Sequence, residues 1–163
     1  MRDGALTIRP ATDSDVPLIL CLVQALAQYE KLSHEVVATE SALRETLFGD
    51  RPASEILIAE WDEQPAGFAL FFHNYSTFVG KRGIYLEDLF VVPELRGKGI
   101  GRALLAQVAG LAVARNCGRF EWAVLDWNEP AIRFYKSLGA REMSDWRIFR
   151  LTGDALAELA RRG

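Results

Sequence analysis

The chain has 163 residues, half of them hydrophobic and a quarter charged, enough to bury a core without disulfides or metals. Its net charge of -3 gives no broad electrostatic pull toward nucleic acid or an anionic membrane, so neither is expected as a partner. The opening MRDGALTIRP holds no signal-like apolar stretch, and no run approaches the ~20 apolar residues of a membrane span. The cysteines, Cys21 and Cys117, give no disulfide framework, so a reducing, cytoplasmic setting is the expectation.

No internal repeat, low-complexity tract or composition shift divides the chain, so residues 1–163 read as a single domain. LTIRP, Leu6 to Pro10, reads as a first short strand. Asp13, Ser14 and Asp15 are cap or first-turn residues. Val16, Ile19, Leu20, Val23, Leu26 and Ala27 then recur at helical spacing, predicting a helix to about Tyr29. A second helix is expected from a Thr39 cap to about Gly49. Ile56 to Trp61 and Ala66 to Asn74 read as strands joined through DEQP, and Arg82 to Val92 as a third, ended by Pro93.

Gly99 to Arg115 is the clearest helix, with Ile100, Leu104, Val108 and Leu111 on one face. FEWAVLDW, Phe120 to Trp127, is expected to return as a strand, completing a strand–helix–strand unit of two parallel strands. Asn128 can cap a short helix with Pro130 in its first turn and Gly139 at its end. WRIFRL, Trp146 to Leu151, reads as a last strand, followed by a helix from Asp154 to Arg161. The sum is an α/β protein with a mixed central sheet.

In LRGKGIGRALL, Gly97, Gly99 and Gly101 stand between a strand and a helix start. Glycine permits a tight turn and lets a ligand approach the backbone N–H groups. With the positive end of the helix dipole, those groups suit a phosphate. Arg96, Lys98 and Arg102 add positive charge; a plain glycine-rich turn with solvated basic residues is the alternative. A nucleotide P-loop needs Lys followed by Ser or Thr, but Gly99 follows Lys98. A dinucleotide fingerprint counted from Gly97 needs a glycine where Arg102 stands. Both are excluded.

What fits is the pattern of Gln or Arg, two residues, Gly, one residue, Gly or Ala, met by Arg96, Gly99 and Gly101. IRPAT near the start, YLEDLFVVPELRGKGIG in the middle and WNEPAIRFYKSLGA later complete the set in order. By these motifs the chain resembles the GNAT superfamily of N-acetyltransferases. Within it the chain is similar to the diamine (spermidine/spermine) acetyltransferase group. NYST at Asn74 to Thr77 and AVLDWN at Ala123 to Asn128 resemble that group's thialysine N-ε-acetyltransferase branch. The polyamine enzymes carry an acid and a tryptophan where Ser76 and Phe78 stand, which argues against a long polycation as substrate. The segment between Ala140 and Trp146 is also shorter than in those relatives.

The resemblance implies a GNAT fold, acetyl-CoA as co-substrate without a metal, a small primary amine as acceptor, and a homodimer. It implies that Arg96, Gly97, Lys98, Gly99, Ile100, Gly101 and Arg102 hold the pyrophosphate. Backbone groups of Leu89, Phe90 and Val91 would face the pantetheine on a distorted strand. Asn128, Glu129, Pro130 and Ala131 would touch the coenzyme, while Asn128 also serves as a cap. Tyr135, seven residues after Asn128, could simply pack beside Phe134 and Leu138. The resemblance makes it the general acid for the departing thiolate, since a phenol is protonated at neutral pH.

Acetyl transfer to an amine also needs the ammonium to lose a proton. Glu87 and Asp88 sit among apolar strand residues, where an unpaired charge is costly and a cationic amine would be a partner. Adjacent strand residues point to opposite faces, so these two are expected to do different jobs. By resemblance Glu87 attracts the amine and takes its proton through water. Tyr29, Glu30, Glu121 and Trp122 match substrate-side positions, though strand packing also accounts for Trp122. Cys21 and Cys117 lack a neighbouring histidine in sequence, and His34 and His73 lack metal-ligand spacing. Direct transfer in a ternary complex is therefore expected. A protein-lysine acetyltransferase and a silent acyl-CoA sensor are the competing readings.

Overall fold

The computed structural model describes residues 4–162, which form two compact units, one up to Ala123 and one from Val124 onward. In the first, β1 (Leu6–Pro10), α1 (Val16–Tyr29), α2 (Glu40–Phe48), β2 (Glu55–Trp61), β3 (Gln64–Ser76), β4 (Lys81–Val91), α3 (Ile100–Ala114) and β5 (Phe120–Trp122) follow in order. The five strands form one sheet in sequence order. Its pairs are antiparallel except β4 with β5, which run parallel with α3 as the crossover. The expected mixed α/β architecture is present.

Local chemistry fixes the first elements. The Asp15 carboxylate accepts the Thr12 N–H at 2.7 Å and is gripped by both terminal nitrogens of Arg9, at 2.8 and 2.9 Å. Arg9 also reaches Glu60 on β2, so one guanidinium ties β1, the start of α1 and β2 together. These bonds hold the Asp15 carboxyl down at about 2 despite its burial. Thr39 caps α2 as expected, its hydroxyl accepting the Ala42 N–H at 3.2 Å.

The core lies on both faces of the sheet. Ile19, Leu22 and Leu26 of α1 and Leu47 of α2 pack on Ile56, Ile58, Phe68 and Phe90. The alternate strand positions Leu57, Ala59, Ala69, Phe71 and Leu86 are buried as well. They face the other way. Helix α3, packed on β2, β3 and β4 through buried Ile100, Leu104 and Val108, covers that second face.

The second unit holds α4 (Glu129–Ser137) and α5 (Gly153–Arg161). The Asn128 side chain caps α4 by accepting the Ala131 N–H at 3.4 Å. Pro130 stands in its first turn, and Gly139 leaves the helix with φ at +87°. Two expected strands are corrected here. The strand expected over Phe120 to Trp127 stops at Trp122. Trp122 pairs with Leu86, so Ala123 would have to pair with Glu87, which bulges out of the β4 ladder. Trp146 to Leu151 forms no strand. Its apolar residues fall on both alternating sets, specifying no single buried face, and Trp146, Ile148 and Phe149 are largely exposed.

Candidate active site

The glycine loop is built by the exit of β4. After Val91 a single turn, Pro93–Leu95, leads to Arg96 and on to Gly99, the N-cap of α3. Gly97 and Gly99 have φ of +79° and +80°, the left-handed region that side chains resist. Gly101 has no such constraint, and a Cβ there would touch Val91 Cγ2 at an ordinary 3.7 Å. The first helical bond runs from the Ala103 N–H to the Gly99 carbonyl at 3.0 Å. The N–H groups of Ile100, Gly101 and Arg102 are therefore not used by the helix, and no side chain caps them. A Cβ added at Gly97 or Gly99 would meet no atom within 4 Å, so the loop borders open space. This arrangement suits a pyrophosphate on backbone donors.

Two of the basic side chains do not gather over the loop. The Arg96 guanidinium lies 4.4 Å from the Tyr29 ring centre and 5.6 Å from that of Phe90, and its Nε donates to the Val91 carbonyl at 3.0 Å. Lys98 Nζ lies 5.0 Å from the Trp61 ring. Both cations rest on aromatic faces, and Arg96 ties the loop to the end of α1. Arg102 is exposed on the first turn of α3.

On β4 the distortion lies at Glu87 rather than around Leu89 to Val91. Leu86 pairs with Phe71 and Asp88 with Leu70, so one β4 residue is left over between consecutive β3 residues. From Asp88 to Val91 the ladder with β3 is regular. On the opposite edge, β5 pairs only with Ile84 to Leu86. The β5-side edge of β4 from Glu87 to Val91 thus has no ladder partner among the described residues, though Arg96 binds the Val91 carbonyl. That open edge is what the expected pantetheine contact of Leu89, Phe90 and Val91 requires.

The bulge also overturns simple alternation. Leu86 faces α3, while Asp88, two residues on, shares the opposite face with Leu70 and Phe90. The charge of Glu87 reaches both Asp88 and Tyr85. Burial, and then the charges of Glu87 and Glu30, push the Asp88 carboxyl up to about 6. Burial raises Glu30 as well, just past the end of α1. The charges of Glu30 and Glu87 thus both bear on Asp88, an electrostatic cluster in which Asp88 is half-buried and Glu87 exposed. Such a cluster favours a cation, and a carboxyl poised near 6 can take a proton at neutral pH.

Glu121 and Trp122 separate. Glu121 pairs in register with Tyr85 and lies on the acidic face, held by Arg119 at 2.7 Å and by the Asn74 amide at 3.3 Å. Trp122 pairs with Leu86 on the other face and stacks tilted on Phe120 at 5.0 Å, so it does not join the acids. Sequence reasoning missed Tyr85, whose hydroxyl is raised by burial and then by Glu87 and Glu121. Ser76 is buried and accepts the Val79 N–H at 3.3 Å, while Phe78 is fully exposed at the hairpin tip.

In the second unit, Tyr135 and Asn128 both belong to α4 and its cap. The Tyr135 ring lies 5.5 Å from Phe134, the packing that sequence offered as its alternative role. Glu129 is spent on an i,i+4 ion pair with Arg133 at 3.7 Å, and Pro130 is exposed in the first turn. Among the described residues no three His, Cys, Asp or Glu side chains gather as a metal site. No helix among them is long and apolar enough to cross a membrane.

A mixed sheet with a glycine loop at the crossover helix and an acidic face beside it defines a class, and residues 23–140 match the model of the Acetyltransferase (GNAT) family. The chain belongs to that family and is an N-acetyltransferase. It is 42% identical to thialysine N-epsilon-acetyltransferase of Sus scrofa, over 96% of this chain and 98% of that protein. It is 39% identical to L-ornithine N5-acetyltransferase of Arabidopsis thaliana, over 91% of this chain and 85% of that one. An integron cassette protein from the mobile metagenome of V. cholerae matches in structure with a TM-score of 0.81 at 26% identity. That match covers 96% of this chain and 98% of the other.

Proposed function

We propose that the chain transfers acetyl from acetyl-CoA to the primary amine of a small lysine-like or diamine acceptor, directly and within a ternary complex. The observation that carries this reading is Asp88, whose carboxyl is raised to about 6 by burial and then by the charges of Glu87 and Glu30. Three carboxyls coupled this way are relieved by an ammonium and can then accept its proton. Relatives whose names state thialysine and ornithine as acceptors support the small amine.

The donor half rests on fit. The uncapped first turn of α3 and the open space over Gly97 and Gly99 suit a pyrophosphate, and the unpaired edge of β4 suits an extended amide chain. Bound there, acetyl-CoA would supply the thioester carbonyl that the amine attacks. Tyr135, assigned by the family motif, donates its phenolic proton to the departing thiolate. For the base, where the family motif points to Glu87, our reading prefers Asp88, because it is the one half-buried and shifted toward neutrality. Glu87 then tunes it and attracts the cation. The proposal takes residues 1–163 as one catalytic domain, acting as a cytoplasmic homodimer by family resemblance.

Thiol release from acetyl-CoA, measured against thialysine, lysine, ornithine, putrescine, spermidine, spermine and one lysine peptide, tests the reading with product masses. Short amines should be acetylated in preference to spermine and the peptide. Tyr135→Phe should cut turnover by about 10²-fold or more while acetyl-CoA affinity stays close to wild type. Unchanged turnover would remove Tyr135 from the mechanism.

A further inference from the structure

Three strands present a row of groups beside the acidic face that the transfer chemistry does not use. Asn74 on β3, Gly83 on β4 and Arg119, just before β5, lie side by side, with Glu121 one step along. The row is built around the missing side chain of Gly83. A Cβ there would sit 2.2 Å from Asn74 Oδ1 and 3.0 Å from Arg119 Cγ, so only glycine lets both side chains cross this strand. The Asn74 amide donates to Glu121 at 3.3 Å, and Arg119 Nε pairs with the same carboxylate at 2.7 Å. A second Arg119 nitrogen reaches the Tyr75 carbonyl at 3.4 Å. Fixed by these bonds, both charged side chains still expose about two-fifths of their surface, at 40% and 38%, and remain open to a ligand.

The position relative to the acids has a length. Asp88 pairs with Leu70 and Tyr85 with Phe72, two β3 residues apart, and Glu121 pairs with Tyr85 on the next strand. Two residues of strand and one strand spacing combine to an offset of about 8 Å between backbone positions. A four-carbon chain with an amine at its end bridges such a distance once side chains lean in. Tyr85 lies between the two ends, stacked on Phe72 at 5.4 Å, and feels both Glu87 and Glu121.

We propose that Arg119 and Glu121 are the recognition subsite for the α-amino-acid head of the acceptor. The guanidinium takes the α-carboxylate and the carboxylate takes the α-ammonium. This rests on the transferase reading above and narrows it from amines in general to ω-amino side chains of free amino acids. A plain diamine offers the guanidinium only a like charge, and an ω-amino acid lacking the α-amine leaves Glu121 facing a carboxylate. The opposed charges thus select for a zwitterion and against either half of it.

Two matched sets of acceptors test this: lysine, cadaverine and ε-aminocaproate, and ornithine, putrescine and δ-aminovalerate. Wild type should prefer each amino acid over both truncated analogues by roughly tenfold in kcat/KM, as befits a half-exposed charged site. Arg119→Gln should collapse the preference over the diamine, through KM rather than kcat, and Arg119→Lys should restore part of it. Glu121→Gln should collapse the preference over the ω-amino acid instead. Equal wild-type rates on amino acid and diamine, or a uniform loss on all acceptors in either variant, would overturn the subsite. If acetyl-CoA binds but no amine is acetylated, the transferase reading itself falls, and the subsite with it.

Discussion

Two departures from regular backbone build this site, and they differ in how they are made. The glycine loop bends through Gly97 and Gly99, residues that alone adopt φ near +80° at no cost. The bulge at Glu87 bends β4 with no glycine or proline at all, within YLEDLF. The first device is written in residue types. The second is written in pairing, since it exists only because Leu86 and Asp88 must meet consecutive residues of β3. A binding loop can thus be read from composition, whereas the orientation of an acid on a strand depends on which residue its neighbour strand skips.

The largest effect should come from the bulge side. Asp88→Asn removes the group proposed to take the amine's proton and should lower kcat/KM by about 10²–10⁴-fold. Wild-type kcat/KM should fall as pH drops through about 6, where Asp88 becomes protonated, and the variant should lose this limb. Stability gives an independent readout. The folded-state value lies above the ordinary 3.8, so the folded state favours the protonated form, and stability falls as pH rises from about 4 to about 6. At pH 8 the ionised group costs roughly 3 kcal/mol. Asp88→Asn should therefore raise Tm at pH 8 and change it little at pH 4. A lower Tm at both values would mean that Asp88 is a structural residue.

The glycine side predicts a smaller and divided effect. Gly99→Ala forces a side chain into the left-handed region, at about 1–2 kcal/mol. It should lower Tm and weaken acetyl-CoA binding together. Gly101→Ala carries no such strain and improves helix propensity by up to about 1 kcal/mol. It should hold or raise Tm and leave acetyl-CoA binding close to wild type, read by calorimetry, because the signature accepts alanine at that position and a Cβ there meets only Val91 at an ordinary 3.7 Å. If Gly101→Ala loses the coenzyme as Gly99→Ala does, strain at Gly99 is not what weakens binding.

How much of this was legible follows the same division. The caps at Thr39 and Asn128, the glycine loop and the helical stripe of α1 were readable because each is a local pattern. The strand expected to run on to Trp127 was not, because its length is set by the bulge on β4. Trp146 to Leu151 carries strand-like residue types, yet among the described residues it has no ladder partner. The acids Glu30, Glu87 and Asp88 could be nominated from the family pattern, but the bulge that turns Asp88 to the face opposite Leu86 breaks the alternation a regular strand obeys. Arg119 gave no sequence signal and Asn74 only a branch resemblance, since what joins them is the absence of a side chain at Gly83.

The smallest predicted change is the one that separates the two acids. Glu87 is exposed and raises Asp88 through its charge, whereas the family motif makes Glu87 itself the base. In Glu87→Gln the like charge is gone and Asp88 should ionise more readily, so the acid limb of kcat/KM should move to lower pH. The plateau above the limb should fall by less than tenfold, far less than in Asp88→Asn, because a cation-attracting group is lost but the proton acceptor remains. The opposite pattern, a limb that vanishes in Glu87→Gln and persists in Asp88→Asn, would return the base to Glu87. The bulge would then serve to push that carboxylate out toward the amine, and the burial of Asp88 would be what holds the bulge in register.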